Sequence, residues 1–306
     1  MLNFILRRLL IIIPMALLVV TLTWGLIRMA PGNFYISERT LPPAVEKNIR
    51  EKYGLDKPWY QQYGLMMLNI VKFDFGESLR YSGQSVNEII YRHFPYSATI
   101  GILAYVLALL IGLGAGLTAA LKQNSPFDYG SMAFAMMGLS VPNFVLGPIL
   151  VLVFSLWLFV LPPARWGGGA ASIILPVITL AAIYMAYIAR LTRAGMLEVM
   201  RSDYIRTARA KGLNETSVLL KHGLRGGIIP VVSFTGPALA SLLAGTVVVE
   251  KVFAIPGLGN IFIQAVLNRD EPLILGIVAF LSILIMVFNL AVDISYGFLD
   301  PRIRYE

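Results

Sequence analysis

The chain has 306 residues, 57% hydrophobic and 14% charged, with a net charge of +8. Soluble domains carry roughly 25% charged residues, so this composition, with a mean hydropathy of +0.73, excludes an ordinary soluble domain and indicates a polytopic membrane protein. The absence of cysteine excludes disulfides, thiolate metal sites and cysteine nucleophiles, and the basic excess reads as Lys and Arg gathered on the cytoplasmic side of a membrane rather than as a nucleic-acid surface.

The first apolar run is Leu9–Ile27, after Arg7 and Arg8. A signal peptide has a shorter core of about 7–15 residues and a small-residue cleavage site. This run is longer and ends in RMAPG, so a retained first span is expected over 1–29. The next segment, 30–96, is too long for a simple connector and reads as an extracytoplasmic helical segment. Pro42-Pro43 can open one amphipathic helix with Val45, Ile49 and Tyr53 on a stripe. Gly54 stops it, and Pro58 can open a second, with Trp59, Tyr63, Met66, Met67 and Ile70 on a stripe. Either a packing lid or a partner-facing cap fits this pattern.

Five further charge-free stretches follow: Ser97–Leu121, Ser131–Ala164 (the span itself ending near Val160), Gly167–Ala189, Gly226–Val249 and Pro272–Val292. Each can cover a hydrocarbon core that needs about 20 helical residues. The expectation is therefore an all-α protein with six transmembrane helices. Residues 97–299 form a five-helix core, and 300–306 a tail. Gly112 and Gly116 form a GxxxG pair suited to close helix approach. Pro14, Pro142, Pro148, Pro176, Pro230 and Pro237 lie inside spans and bend them. Such prolines are tolerated in membranes generally, or they shape a pathway; both readings stay open. In 254–270, Pro256, Gly257 and Gly259 break helix, leaving a short interfacial or re-entrant helix over Ile261–Leu267.

Orientation follows from the short loops. Loop 190–225 carries Arg190, Arg193, Arg201, Arg206, Arg209, Lys211, Lys221 and Arg225, and the tail adds Arg302 and Arg304. On the other side, loop 161–172 holds only Arg165 and 250–271 only Lys251 and Arg269; segment 30–96 is basic too, but long loops cross largely regardless of charge, so both termini are expected in the cytoplasm. The same loop contains YIRTARAKG at 204–212. Ser202 or Asp203 can cap its helix, Gly212 can end it in the left-handed conformation, and Asn214 can cap a second helix with Glu215 in its first turn. Leu197, Met200, Tyr204 and Ala208 follow helical spacing. A helix this short is marginal in water and requires a surface to pack on.

Two other classes of function are disfavoured. Ion-coupled transport would place ionisable groups deep in the spans. Glu250, Lys251 and Asp293 fall only at or near span ends, where interfacial anchoring is expected. An intramembrane enzyme would need clustered catalytic groups. The two histidines, His93 and His222, fall in predicted loops on opposite sides of the membrane, and no HExxH occurs.

The loop resembles the EAA loop of importer permeases of the ATP-binding cassette class. Arg206-Thr207-Ala208 stands at the E-A-A positions and Gly212 at the glycine, while HGLR replaces the usual apolar-x-Leu-Pro ending. MLNFILRRLLIIIP, RMAPG, DFGESL, FPYSATI, VVVEKVFAIPGLG, LNRD and DPRIRY resemble peptide-importer permeases along the whole chain, in order. ERTLPPAVEKNIREKYGL is most similar to the B-type permease of oligopeptide importers, with dipeptide and nickel-chelate permeases the nearest alternatives. The resemblance implies a type I importer permease fold in a bacterial inner membrane. It also implies a non-catalytic subunit without cofactor or metal. A homologous second permease, two cytoplasmic ATPases that bind ATP and Mg, and an extracytoplasmic binding protein would be its partners. The helix at 203–211 would couple it to an ATPase. Tyr204 and Ile205 would pack in the ATPase groove, Arg206 and Arg209 would make polar contacts, Thr207 and Ala208 complete the helix, and Gly212 would form the turn.

Overall fold

The computed structural model describes residues 2–29, 56–81, 83–163, 166–244 and 247–299, and among them there is no β-strand. The expected helix over 42–53 and the 300–306 tail lie outside these residues. The chain opens with α1, Leu2–Met29, which accommodates Pro14. Its outward residues Leu10, Ile13, Leu18, Leu22 and Leu26 are all apolar and exposed, as on a lipid-facing helix. Pro58 then precedes α2, Trp59–Val71, as expected. Of its predicted stripe, Ile70 is buried and Trp59 is exposed.

The second span begins earlier than hydropathy implied. Helix α3 runs Val86–Leu121, 36 residues, or about 54 Å at 1.5 Å per residue. That exceeds a hydrocarbon core of about 30 Å, so its first turns stand clear of it. Ser85 caps this helix with a reciprocal capping box to Glu88, two complementary bonds that start it well before Ser97.

The third expected span is two helices. Helix α4, Pro126–Ser140, and α5, Asn143–Leu150, which continues as a π-helical Val151–Trp157, meet at 105°. The break lies at Val141-Pro142. A residue before proline is pushed out of the helical region, and Val141 is extended at φ −109°, ψ 118°. An apolar count could not show this, because the stretch from Met132 to Val160 stays uncharged and mostly apolar across the break.

A 3₁₀ turn, Ala170–Ile173, leads into α6, Ile174–Met200. Helix α6 packs most extensively on α3, and the GxxxG pair explains how. A Cβ on Gly112 would lie 2.8 Å from the Ile188 Cβ, and one on Gly116 2.5 Å from the Ala189 carbonyl oxygen. Helix α7, Asp203–Ala210, is followed by α8, Glu215–Ser217, a π segment Val218–Gly223 and α9, Leu224–Gly227. Then come α10, Ile229–Leu243, α11, Val247–Val252, α12, Leu258–Leu267, and α13, Glu271–Leu299. Among the described residues, five helices are long and apolar enough to cross a membrane, or six if the bent pair counts as one. Two main cores result. One gathers Ile100, Leu180, Ile188, Leu242 and Phe253 between α3, α6, α10 and α11. The other gathers Val20, Ile89, Leu258, Leu273 and Ile277 between α1, α3, α12 and α13.

Candidate functional site

Helix α7 is a separate, short element seated on its own chain. Helix α6 stops at Met200, so the predicted stripe through Leu197, Met200, Tyr204 and Ala208 is interrupted. Ser202 occupies the N-cap position, but its hydroxyl donates back to the Val199 carbonyl (2.6 Å) instead of capping. Asp203 lies in the first turn, where the helix dipole favours a negative charge. The C-terminus closes as a Schellman motif. Gly212 N–H donates to the Arg209 carbonyl (2.9 Å) and Leu213 N–H to the Ala208 carbonyl (3.4 Å). The motif requires a left-handed residue, and Gly212 has φ +78°. Asn214 caps α8 by accepting from Ser217 N–H (2.8 Å).

The seat is small. Ile205 is fully buried and Ala208 nearly so, packed with Val218, Val199 and Met200. Ile205, expected in a partner's groove, thus faces its own chain. Burying one such side chain stabilises by about 1.5–3 kcal/mol, which holds a two-turn helix that could not persist alone.

The other face is polar and open. Tyr204, Arg206, Thr207 and Arg209 are exposed. Arg206 pairs with Asp203 at 3.3 Å across two solvent-exposed side chains, a contact of little energetic weight. Arg209 makes a two-pronged contact with Glu215, at 2.8 and 3.1 Å, which ties α7 to α8 and holds the guanidinium pKa above its ordinary value. The loop is also tied to the long helices. A Cβ on Gly195 of α6 would lie 2.3 Å from the Gly227 carbonyl oxygen of α9, so the two ends of the loop that carries α7 meet in close backbone contact.

Two further clusters lie far from α7 in the chain, and the sequence did not single them out. Glu250, expected as an interfacial anchor, is 3% exposed. It accepts from the Ser97 hydroxyl (2.6 Å) and Asn260 N–H (2.7 Å). Ser97 in turn accepts from Leu258 N–H (2.8 Å). Gly257 is required beside it, since a Cβ there would lie 2.3 Å from the Glu250 carboxyl carbon. Gly259, expected to break helix, belongs to α12. His93, expected in a loop, lies on α3 with Nδ1 at 2.8 Å from the Pro256 carbonyl. A carbonyl only accepts, so Nδ1 carries the proton. His222, the other histidine expected in a loop, lies in the π segment. FPYSATI and VVVEKVFAIPGLG are thus one structural unit.

Asp270 plays the same part for DFGESL and LNRD. Fully buried, it accepts from the Ser78 hydroxyl and from the N–H groups of Leu79 (3.1 Å), Arg80 (3.3 Å) and Leu273 (3.3 Å). It caps α13 while anchoring the 74–81 loop. At the opposite end of α3, Arg193 of α6 reaches Asp128 of α4 with two contacts of 2.8 Å. The sequence signal for these carboxylates was a lone acid in or beside an apolar run, which alone does not separate a buried hub from an anchor.

The family described as the inner membrane component of binding-protein-dependent transport systems matches residues 108–305. The chain belongs to that family. Over its full 306 residues it is 45% identical to the oligopeptide transport system permease protein OppB of Haemophilus influenzae, covering 100% of both chains. It is 43% identical, again over 100% of both, to OppB of Escherichia coli. The dipeptide transport system permease protein DppB of Bacillus subtilis is 42% identical over 288 residues, 94% of this chain and 93% of that one. Among solved structures, the MetNI methionine ABC transporter superposes with a TM-score of 0.58 at 18% identity, covering 69% of this chain and 96% of that one. An amino acid ABC transporter solved with histidines gives 0.53 at 19% identity, covering 69% and 94%. At such identities these two show the fold alone, an ABC permease fold.

Proposed function

We propose that this chain is one of two homologous permease subunits of an ATP-driven peptide importer, forming half of its translocation pathway. Oligopeptides are the proposed substrates, in line with the naming of its full-length relatives; dipeptides are the alternative. The observation that carries the coupling role is the seating of α7. Two buried residues fix it to its own chain, while Tyr204, Arg206, Thr207 and Arg209 face outward from a loop whose two ends meet in close backbone contact.

In this reading α7 docks in a groove of one of two cytoplasmic ATPases, which bind ATP and Mg. Ile205 and Ala208 hold the helix to the permease, the exposed face meets the ATPase, and Gly212 sets the turn. Closure of the ATPases around ATP moves α7 as a rigid body. The spans attached to it then favour one of two pore states, a two-state element biased by a distant ligand. The chain itself performs no catalysis. It crosses a bacterial inner membrane six times, the bent α4–α5 pair counting as one crossing, with both termini in the cytoplasm. Segment 30–96 lies outside, where a binding protein delivers substrate, and 97–299 is the permease core.

A pull-down from native membranes through a C-terminal tag, followed by an ATPase assay with and without peptide and binding protein, tests this. Recovery of a second permease and two ATPases, with hydrolysis stimulated by peptide and binding protein, is the expected result. A chain recovered alone that still transports overturns it.

A further inference from the structure

We infer that a polar and aromatic face shared by α6 and α10 lines the route of the translocated peptide, an inference that rests on the reading of the chain as a peptide permease subunit. The outward faces of the other spans set the contrast. Between residues 10 and 26 of α1 the exposed positions are leucine, isoleucine, methionine and Pro14, and between residues 100 and 113 of α3 they are Ile102, Leu103, Val106 and Leu110. On α10 the exposed positions are Ser233, Pro237 and Ser241, spaced four apart on one stripe. The opposite face, Val231, Ala238 and Leu242, is buried in the core.

Pro237 has no N–H to give to the carbonyl four residues earlier. Its place on this stripe leaves the Ser233 carbonyl without its normal helical donor, beside two hydroxyls. A hydrocarbon environment penalises unsatisfied polar groups by several kcal/mol, so irregular backbone at that depth faces protein or a water-filled cavity.

The stripe continues across to α6. The Tyr184 hydroxyl donates to the Ser241 hydroxyl (3.1 Å). Phe234 sits between the rings of Tyr184 and Tyr187, at centroid distances of 6.2 and 5.5 Å. The Arg190 guanidinium lies 5.1 Å from the Tyr187 ring centroid. The face therefore runs from the middle of the bundle to the end that bears α7.

Close helix pairing in membranes uses small residues, and this chain spends its glycine pair on α3 against α6. Bulky rings with accessible hydroxyls suit a different neighbour. Rings accept varied apolar side chains. The proline-freed carbonyl can accept from any peptide N–H, as can the Ser233 hydroxyl oxygen, whose own proton goes to the Ile229 carbonyl (2.9 Å); the Ser241 hydroxyl can donate to a peptide carbonyl. That combination recognises the feature all peptides share and is indifferent to sequence.

The chain contains no cysteine, so single-cysteine variants report one position each. Ser233→Cys and Ser241→Cys, with Leu110→Cys as a lipid-facing control, would be assembled with the second permease and the ATPases in vesicles. The probe is a small, permanently charged methanethiosulfonate, with labelling read on this chain by mass spectrometry. Both serine-derived thiols are expected to react at least about tenfold faster than the control, and a transported peptide is expected to slow them. Reaction no faster than the control in every nucleotide state overturns the inference. So does spontaneous cross-linking to the second permease without peptide protection, which would make this face a subunit interface. Peptide uptake by the unsubstituted assembly is measured in parallel. Uptake with unreactive thiols overturns only this inference, whereas no uptake of any peptide overturns the permease reading as well.

Discussion

Four of the described helices end in the same turn, and the residue at its left-handed position differs. After α2 it is Phe73 (φ +56°), where Asp74 N–H closes the motif on the Asn69 carbonyl (3.0 Å). At α7 that residue is Gly212, with φ +78°. After α11 it is Ala254 (φ +47°), where Ile255 N–H closes the motif on the Glu250 carbonyl (2.8 Å). After α12 it is Arg269 (φ +56°), where Asp270 N–H closes it on the Ala265 carbonyl (2.9 Å). A non-glycine residue in this conformation costs energy and persists where its surroundings over-determine it. At the Ala254 and Arg269 turns the surroundings are the buried carboxylate clusters of Glu250 and Asp270, and at the Phe73 turn they are the Asn87 side chain, which donates to the Phe73 carbonyl (2.6 Å) and accepts from Phe75 N–H (3.0 Å). The α7 turn has no such cluster, only a seat of a few apolar side chains, and there glycine is needed. The two regions differ in mechanical character. The carboxylate clusters clamp segments distant in sequence, and α7 is a lightly held handle.

The comparison can be broken at its strong end first. Asp270→Ala leaves the buried Ser78 hydroxyl and Leu273 N–H, and the half-buried Leu79 N–H, without their acceptor, a buried one costing about 1–3 kcal/mol. The expected outcome is the largest loss here, seen as a sharp fall in the apparent melting midpoint of the detergent-purified protein. A midpoint close to wild type would show that the cluster clamps nothing.

Gly257→Val forces a side chain into the Glu250 carboxylate. The nearest atoms all belong to the buried, hydrogen-bonded Glu250 carboxyl group, so about 1–3 kcal/mol of strain is expected, read in the same assay. Ile205→Ala empties the α7 seat and should cost about 2–5 kcal/mol locally. Because α7 is a local unit, the loss should appear as faster hydrogen exchange and proteolysis over 201–227 while the melting midpoint moves less than for Asp270→Ala. A global collapse would contradict the handle description.

The turn residues give a matched pair. Gly212→Ala places a Cβ in the left-handed region and should weaken α7 by roughly 1–2 kcal/mol, read by exchange over the loop. Ala254→Gly removes that strain from the far turn and should leave stability unchanged or raise it by under about 1 kcal/mol. Smallest of all is Arg206→Ala. Its exposed pair with Asp203 is worth about 0.2–1 kcal/mol at most, so stability should hold. Recovery of ATPase subunits in the pull-down should nonetheless fall if the outward face is the docking surface.

Much of this molecule was legible as sequence. The membrane class, the apolar stretches, the GxxxG contact, the helix after Pro58, and the bounds of YIRTARAKG between a polar cap position and Gly212 follow from local chemistry. Hydropathy, capping and backbone preference act over a few residues, and so can be read from a few residues. The direction of each side chain was another matter. Ile205 and Tyr204 are neighbours, and only the packing of Val218 in the π segment and of Val199 and Met200 in α6 against α7 determines that one is a seat and the other exposed. Glu250 looked like an anchor because its partners, Ser97 and Asn260, arrive from a different span and from across a turn. The 105° break at Val141-Pro142 was equally hidden, since proline bends some helices and is absorbed by others, as Pro14 and Pro95 are within α1 and α3. Composition and local pattern determined that the chain is a bundle of membrane helices with one basic handle. Which groups are buried, and which face is left polar, was decided only by tertiary structure, because burial depends on what the rest of the chain brings alongside.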